Sequence, residues 1–198
     1  MVERTPWAVP VWRIDLDGLA ADVPELIADI QRRAGEYTVP DVPGRQTRDD
    51  LQDSDRIEWQ RFHAELLGAT DRIVAATSRD LTDGRRFCRS RGVLFESVAD
   101  FRPGRWWVHT HQPATFSTVV TLQTPTGVGS AEEGGTVLRN PWASLARASA
   151  GTSTWESGAV VPGGIIFPGP IEHWPRIPAE LVDFDVPRVL VVTDVVYW

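Results

Sequence analysis

From residue 92 to the C-terminus the chain runs through short β-branched and aromatic stretches: GVLFESVADF, WWVHTH, TFSTVVTLQTP, GGTVLRNP, GAVVPGGIIFPG and RVLVVTDVVYW. Gly, Pro, Ser and Asn separate them. Runs of this length and residue type are strands, and their punctuation is that of turns. Six such runs in close succession predict an antiparallel sandwich or barrel, because each strand can bury only one face and needs a second layer to bury it against.

The N-terminal part reads differently. WAVPVWRIDL (7–16) is a first strand candidate. Leu19, Leu26, Ile27 and Ile30 recur at helical spacing, which predicts an amphipathic helix over 19–36 with Pro24 in its first turn. Trp59, Phe62, Leu66, Leu67, Ile73 and Val74 make a broad apolar stripe over 56–81. These residues predict the second helix over 56–81; Gly68 weakens it by about 1 kcal/mol relative to Ala, which leaves a split into two helices open. His63 flanks the stripe, where a surface or capping role is expected. Between the helices, 37–55 is rich in Pro, Gly, Asp and Arg and reads as a long loop. No linker or internal repeat divides the chain. The expected architecture is therefore α+β, mainly β: one domain over 1–198, with a helical buttress mainly in 19–81 and a β core mainly in 92–198.

Composition narrows the function. The net charge is −7 at neutral pH, which disfavours nucleic acid or an anionic membrane as the main partner. All 20 basic residues are Arg, so no Schiff-base lysine is available and any carboxylate clamp is an arginine. Cys88 is the only cysteine, which rules out an internal disulfide or a CxxC site. The start, MVERTPWAVPVW, lacks the basic and apolar regions of a signal peptide, and no apolar run is long enough to span a bilayer. A soluble cytoplasmic protein is expected.

Two of the four histidines, His109 and His111, stand two apart in RWWVHTHQP. On a strand, residues two apart project to one face. Two imidazoles on one face suit a metal. A third, His173, follows a Gly-Gly turn and a strand in PGGIIFPGPIEH, and an Arg-headed strand, RVLVVTDVVYW, closes the chain.

The ordered set HTHQP (109–113), FSTVVTL (116–122), EGGTVLRNP (133–141), PGGIIFPGPIEH (162–173) and RVLVVTDV (188–195) resembles the small bacterial iron(II)- and 2-oxoglutarate-dependent oxygenases. That resemblance implies a double-stranded β-helix, a jelly-roll or cupin-like core. It implies an oxidoreductase that uses molecular oxygen and 2-oxoglutarate to hydroxylate, desaturate or cyclise a small molecule, such as an amino acid or a natural-product intermediate. It also implies His109, His111 and His173 as ligands of Fe(II). Arg188 is the expected anchor of the distal 2-oxoglutarate carboxylate, with Arg176 as its rival. Ser117 and Thr121 share a face of the strand after HTH and are expected to hydrogen-bond the co-substrate. Trp107 and Trp174 adjoin the histidines and are expected to wall the pocket, with Arg45 and Arg48 covering the substrate from the loop.

The chain departs from the family's pattern at two places. Its triad is normally two His and one carboxylate, and His111 stands at the carboxylate position. Either His111 is the third ligand, or a carboxylate from elsewhere binds, or the site holds another metal or none. Glu172 adjoins His173, but neighbours on a strand face opposite ways. Three histidines leave the metal one charge more positive, which favours a dianionic keto acid. At the co-substrate end, Leu190 replaces the Ser of the family's R-x-S strand. Two further readings remain. One is a cupin-like three-His dioxygenase that does not use 2-oxoglutarate; HTH favours it, while QPATFS lacks the glutamate expected there. The other is a non-catalytic jelly-roll module with a Trp-rich ligand cleft.

Overall fold

A computed structural model describes residues 2–4, 9–37, 44–77, 85–97, 100, 108–125, 135–141, 154–158, 161–176 and 184–198. Ten strands, two α-helices and two short 3-10 turns (Asp17–Leu19 and Leu51–Asp53) lie within them. The strands are β1 (Val2–Arg4), β2 (Pro10–Asp15), β3 (Arg45–Gln46), β4 (Arg86–Phe95), β5 (Phe116–Gln123), β6 (Thr136–Arg139), β7 (Thr154–Glu156), β8 (Gly163–Pro168), β9 (His173–Pro175) and β10 (Arg188–Tyr197). The helices are α1 (Val23–Arg33) and α2 (Ile57–Thr77).

All pairings are antiparallel. The larger sheet runs β1-β2-β8-β5-β10-β4-β3, and the smaller runs β7-β6-β9. Strands β5, β8 and β10 sit at the centre of the larger sheet, and their residues are almost all buried. This accounts for the continuous β-branched runs seen there: a strand covered on both faces has no polar side to alternate with.

Each face of the larger sheet has its own core. On one face, Val189, Val191 and Val195 of β10 pack with Val120, Leu122, Ile166 and the helical residues Leu26, Ile30, Trp59, Phe62 and Leu66. On the other, Leu190 and Val192 of β10 join Val93, Phe95, Val119, Ile165 and Phe167, and Leu138 of the smaller sheet closes over them. The alternation along β10 therefore sorts its side chains between a helix-facing core and the inside of a roll. Gly92 on β4 lets α1 approach, since a Cβ there would lie 2.6 Å from an Ile30 carbon.

Two expectations need correction, and one open alternative closes. α2 runs unbroken through Gly68, as a single helix within 56–81. Trp59, Phe62 and Leu66 before it, and Ile73 and Val74 after it, are all buried against the sheet, and that packing outweighs the glycine's propensity cost. The stretch 37–55 is not a plain loop. Arg45–Gln46 pairs with the β4 edge and Leu51 is wholly buried. His63 is buried, bonded through Nδ1 to the Trp59 carbonyl and through Nε2 to Ser90 Oγ, both at 2.8 Å.

Candidate metal centre

His109 and His173 lie opposite each other in an antiparallel bridge. The His109 N–H donates to the His173 carbonyl at 3.2 Å, and the His173 N–H to the His109 carbonyl at 3.0 Å. Directly opposed residues send their side chains to the same face, which is why two histidines far apart in sequence meet. His111 is pinned by its own N–H, which donates to the Gly169 carbonyl at 3.0 Å. Gly169 returns the contact by donating to Thr115 O at 3.2 Å. A Cβ on Gly169 would stand 2.3 Å from the Ala114 carbonyl oxygen, so only glycine lets this turn close on the His-bearing segment.

The three imidazoles converge. One ring nitrogen from each lies within 4.8 Å of the others. His111 and His173 are buried and His109 half-buried. The hydrogen bonds fix which nitrogens converge. His173 Nδ1 is 3.0 Å from the Ile171 carbonyl, which only accepts, so Nδ1 carries the hydrogen. His111 Nδ1 is 2.8 Å from the Asp194 carboxylate and donates to it. Each Nε2 is thus left with a lone pair, and the two face each other at 3.1 Å. Burial, and then the neighbouring His109 and His111, hold His173 well below the usual imidazole range, so the ring stays neutral. Two lone pairs at this distance repel, and a cation between the rings turns the repulsion into ligation. The donor set therefore fits a divalent transition metal. Imidazole suits iron, zinc, copper and nickel alike.

The histidines open onto a cavity of about 620 Å³ inside the roll. Val93, Phe95, Val119, Leu190 and Val192 form its apolar walls. Gln46, Asp49, Arg91, Thr136 and Glu172 bring polar groups to it. Arg91 pairs with Asp49 at 3.3 Å, while Glu172 turns to Arg139 at 2.7 Å.

The other predicted site residues fall in several places. Arg188 heads β10 on the same side as Leu190 and Val192. It is fully buried beside Phe95, and its Nη2 donates to the Gly135 carbonyl at 3.3 Å. Burial lowers its pKa to about 10, so it remains a cation at neutral pH. Ser117 donates its hydroxyl to Asp194 Oδ1 at 2.9 Å rather than to the cavity. Thr121 is buried on the same side of β5. Arg176 pairs with Glu156 at 2.9 Å. Trp174 lies under the Arg139 guanidinium and lines no part of the cavity. Arg45 bonds Glu96 at 3.0 Å and the Ala34 carbonyl at 2.8 Å, and Arg48 is exposed. Neither of these two reaches the cavity wall. Trp107 lies outside the described residues.

Sequence reasoning missed Asp194, Asp49 and Arg91. Parity offered a signal for Asp194, which shares its side of β10 with Leu190 and Arg188. Parity alone, however, does not say which side of the strand faces the inside of the roll.

No protein-family model matches the chain, and no curated protein matches it in sequence. Solved structures match its fold. A Pseudomonas putida prolyl-4-hydroxylase superposes with a TM-score of 0.57 at 14% identity, over 93% of this chain and 91% of that one. The non-heme α-ketoglutarate-dependent epimerase SnoN of nogalamycin biosynthesis gives 0.56 at 14% identity, over 94% and 78%. HygX from Streptomyces hygroscopicus, solved with nickel and 2-oxoglutarate bound, gives 0.54 at 12%, over 93% and 82%. The chain has the double-stranded β-helix fold of these oxygenases. Among the described residues no helix is long and apolar enough to cross a membrane.

Proposed function

We propose that this protein is an iron(II)- and 2-oxoglutarate-dependent oxygenase, working as one catalytic unit over residues 1–198 in the cytoplasm, that oxidises a C–H bond of a small molecule. The observation that carries the reading is the convergence of His109, His111 and His173, all within 4.8 Å, at the mouth of a cavity inside a roll of this kind. His109, His111 and His173 would hold the metal, and the cavity they line would receive its further ligands. Iron(II) bound there with 2-oxoglutarate and oxygen would supply the oxidising power, with 2-oxoglutarate converted to succinate and carbon dioxide.

The rest is the work of the chain. Arg188, buried against Phe95, which lines the cavity, offers a forked donor to the distal carboxylate of 2-oxoglutarate. Thr121 adds a hydroxyl on that side. The apolar wall of Val93, Val119, Leu190 and Val192 keeps water from the reacting centre and strengthens the polar contacts made there. Gln46, Asp49 and Arg91 line the cavity and would hold the substrate so that one carbon faces the metal. Hydroxylation, desaturation and ring closure all follow from that placement, and the substrate's own shape selects among them.

The test is 2-oxoglutarate turnover. Purified protein with iron(II), ascorbate, oxygen and 2-oxoglutarate is expected to release succinate, slowly without a primary substrate, and His109→Ala is expected to abolish release. Iron bound at the histidines with no succinate formed under any substrate panel would favour the three-His dioxygenase that does not use 2-oxoglutarate.

A further inference from the structure

The site contains an unusual donor set for its fold. His111 stands where the family's pattern has a carboxylate, and among the described residues the grouping that could hold a metal is made of histidines alone. A dipositive ion held by three neutral rings lacks a compensating charge in a buried site, where such charge matters most. A carboxylate lies one ring away. Asp194 is 2.8 Å from His111 Nδ1, on the side of the ring opposite the Nε2 that faces His173.

Asp194 is itself held from two sides. His111 Nδ1 lies 2.8 Å from both of its oxygens, and Oδ1 also takes the Ser117 hydroxyl at 2.9 Å. Its neighbour Thr193 points to the helix side, where its hydroxyl bonds Ser90 Oγ at 2.6 Å, and Ser90 bonds His63. The strand cannot rotate without breaking this chain. His173 has no such partner: its Nδ1 donates to a backbone carbonyl, which brings no charge.

We infer that Asp194 is a positioning residue for the metal centre: it locks His111 as the Nδ1–H tautomer and supplies, through that ring, the negative charge that the triad lacks. The inference rests on the metal-centre reading above. A carboxylate on the far nitrogen makes the imidazole a stronger donor and fixes its plane. Asp194 thus does one bond further out what a ligating carboxylate does directly. Ser117, on the adjacent strand, orients Asp194 in turn.

Cobalt(II) titration of the metal-free protein tests this, because its visible spectrum reports the ligand field without any turnover. The wild type is expected to bind one cobalt(II) with a His-dependent spectrum, and His111→Ala is expected to lose it. Asp194→Asn keeps the shape and an acceptor oxygen but removes the charge. It is expected to weaken binding about 10–100-fold and to shift the band positions, with an unfolding midpoint in the absence of metal close to wild type. Asp194→Glu is expected to restore part of the affinity, and Ser117→Ala to weaken binding less than Asp194→Asn. Wild-type affinity and spectrum in Asp194→Asn would overturn this inference while leaving the metal centre standing. Loss of binding as complete as in His111→Ala would make Asp194 a direct ligand, which also overturns it. A wild type that binds no cobalt(II) would overturn the metal reading and the inference together.

Discussion

His109 and His173 each donate a backbone N–H to the other's carbonyl, at 3.2 and 3.0 Å. The spacing of these two side chains is therefore set by the main chain, which makes the proposed metal site largely preformed. A preformed site binds without a large ordering cost, and what it binds stabilises the folded state by mass action. Iron(II) or cobalt(II) at 100 times its Kd is expected to add about 2.7 kcal/mol to stability, read as a rise in the unfolding midpoint. His173→Ala and His109→Ala are expected to abolish the rise.

Gly169→Ala probes the turn that carries His111. The added methyl would meet the Ala114 carbonyl at 2.3 Å, and a backbone oxygen cannot swing aside as a side chain can. A cost of about 1–3 kcal/mol is expected, in the range of overpacked sites, measured by urea unfolding. Because His111 N–H bonds the Gly169 carbonyl, metal affinity is expected to fall as well.

His63 sets a pH dependence on the helix side. Burial lowers its pKa below 6.5, against smaller opposing effects from the Trp59 carbonyl and Asp53. The unfolded chain then binds the proton more readily than the folded one. Stability from this group is complete above the unfolded value and is lost as pH falls below about 6.5. Urea midpoints at pH 7.5 and 5.5 are expected to differ more in the wild type than in His63→Gln. Equal slopes in the two proteins would remove His63 from the account.

Arg188 and Arg176 are the two candidates for the co-substrate carboxylate. Arg176 is engaged with Glu156 at 2.9 Å, whereas Arg188 is buried at the inner end of β10. In the cobalt(II)-loaded protein, Arg188→Ala is expected to cost about 2–5 kcal/mol of 2-oxoglutarate binding by calorimetry. Arg176→Ala is expected to change it little.

Much of this is legible locally. The stripe of Trp59, Phe62 and Leu66 encodes α2, and the β-branched runs encode the central strands, because both depend on near neighbours. The strand expected through HTH is only a single bridge at His109; His111 lies beyond it and is held instead by its N–H bond to the Gly169 carbonyl, so the two-residue spacing points to the pair but not to what brings the rings together. The role of Asp194 is not legible in the sequence for the opposite reason, although its parity places it on the side of Leu190. Its meaning depends on the register between β10 and the His-bearing segment, and nothing short-range specifies that. Ser117 reads as a co-substrate ligand because a buried hydroxyl on the right side of a strand looks the same whatever it bonds. The abundance of Trp suggests a lined cleft, yet Trp12 and Trp59 belong to the helix-side core. An indole fills that interface as readily as it walls a pocket.

The central claim is that the three histidines present iron(II) to 2-oxoglutarate. Anaerobic addition of iron(II) and then 2-oxoglutarate to the metal-free protein tests it most directly. The account predicts the weak visible charge-transfer band of a keto acid chelating iron(II), absent in His109→Ala and weakened in Arg188→Ala. Iron bound at the histidines with no band on adding 2-oxoglutarate would contradict it.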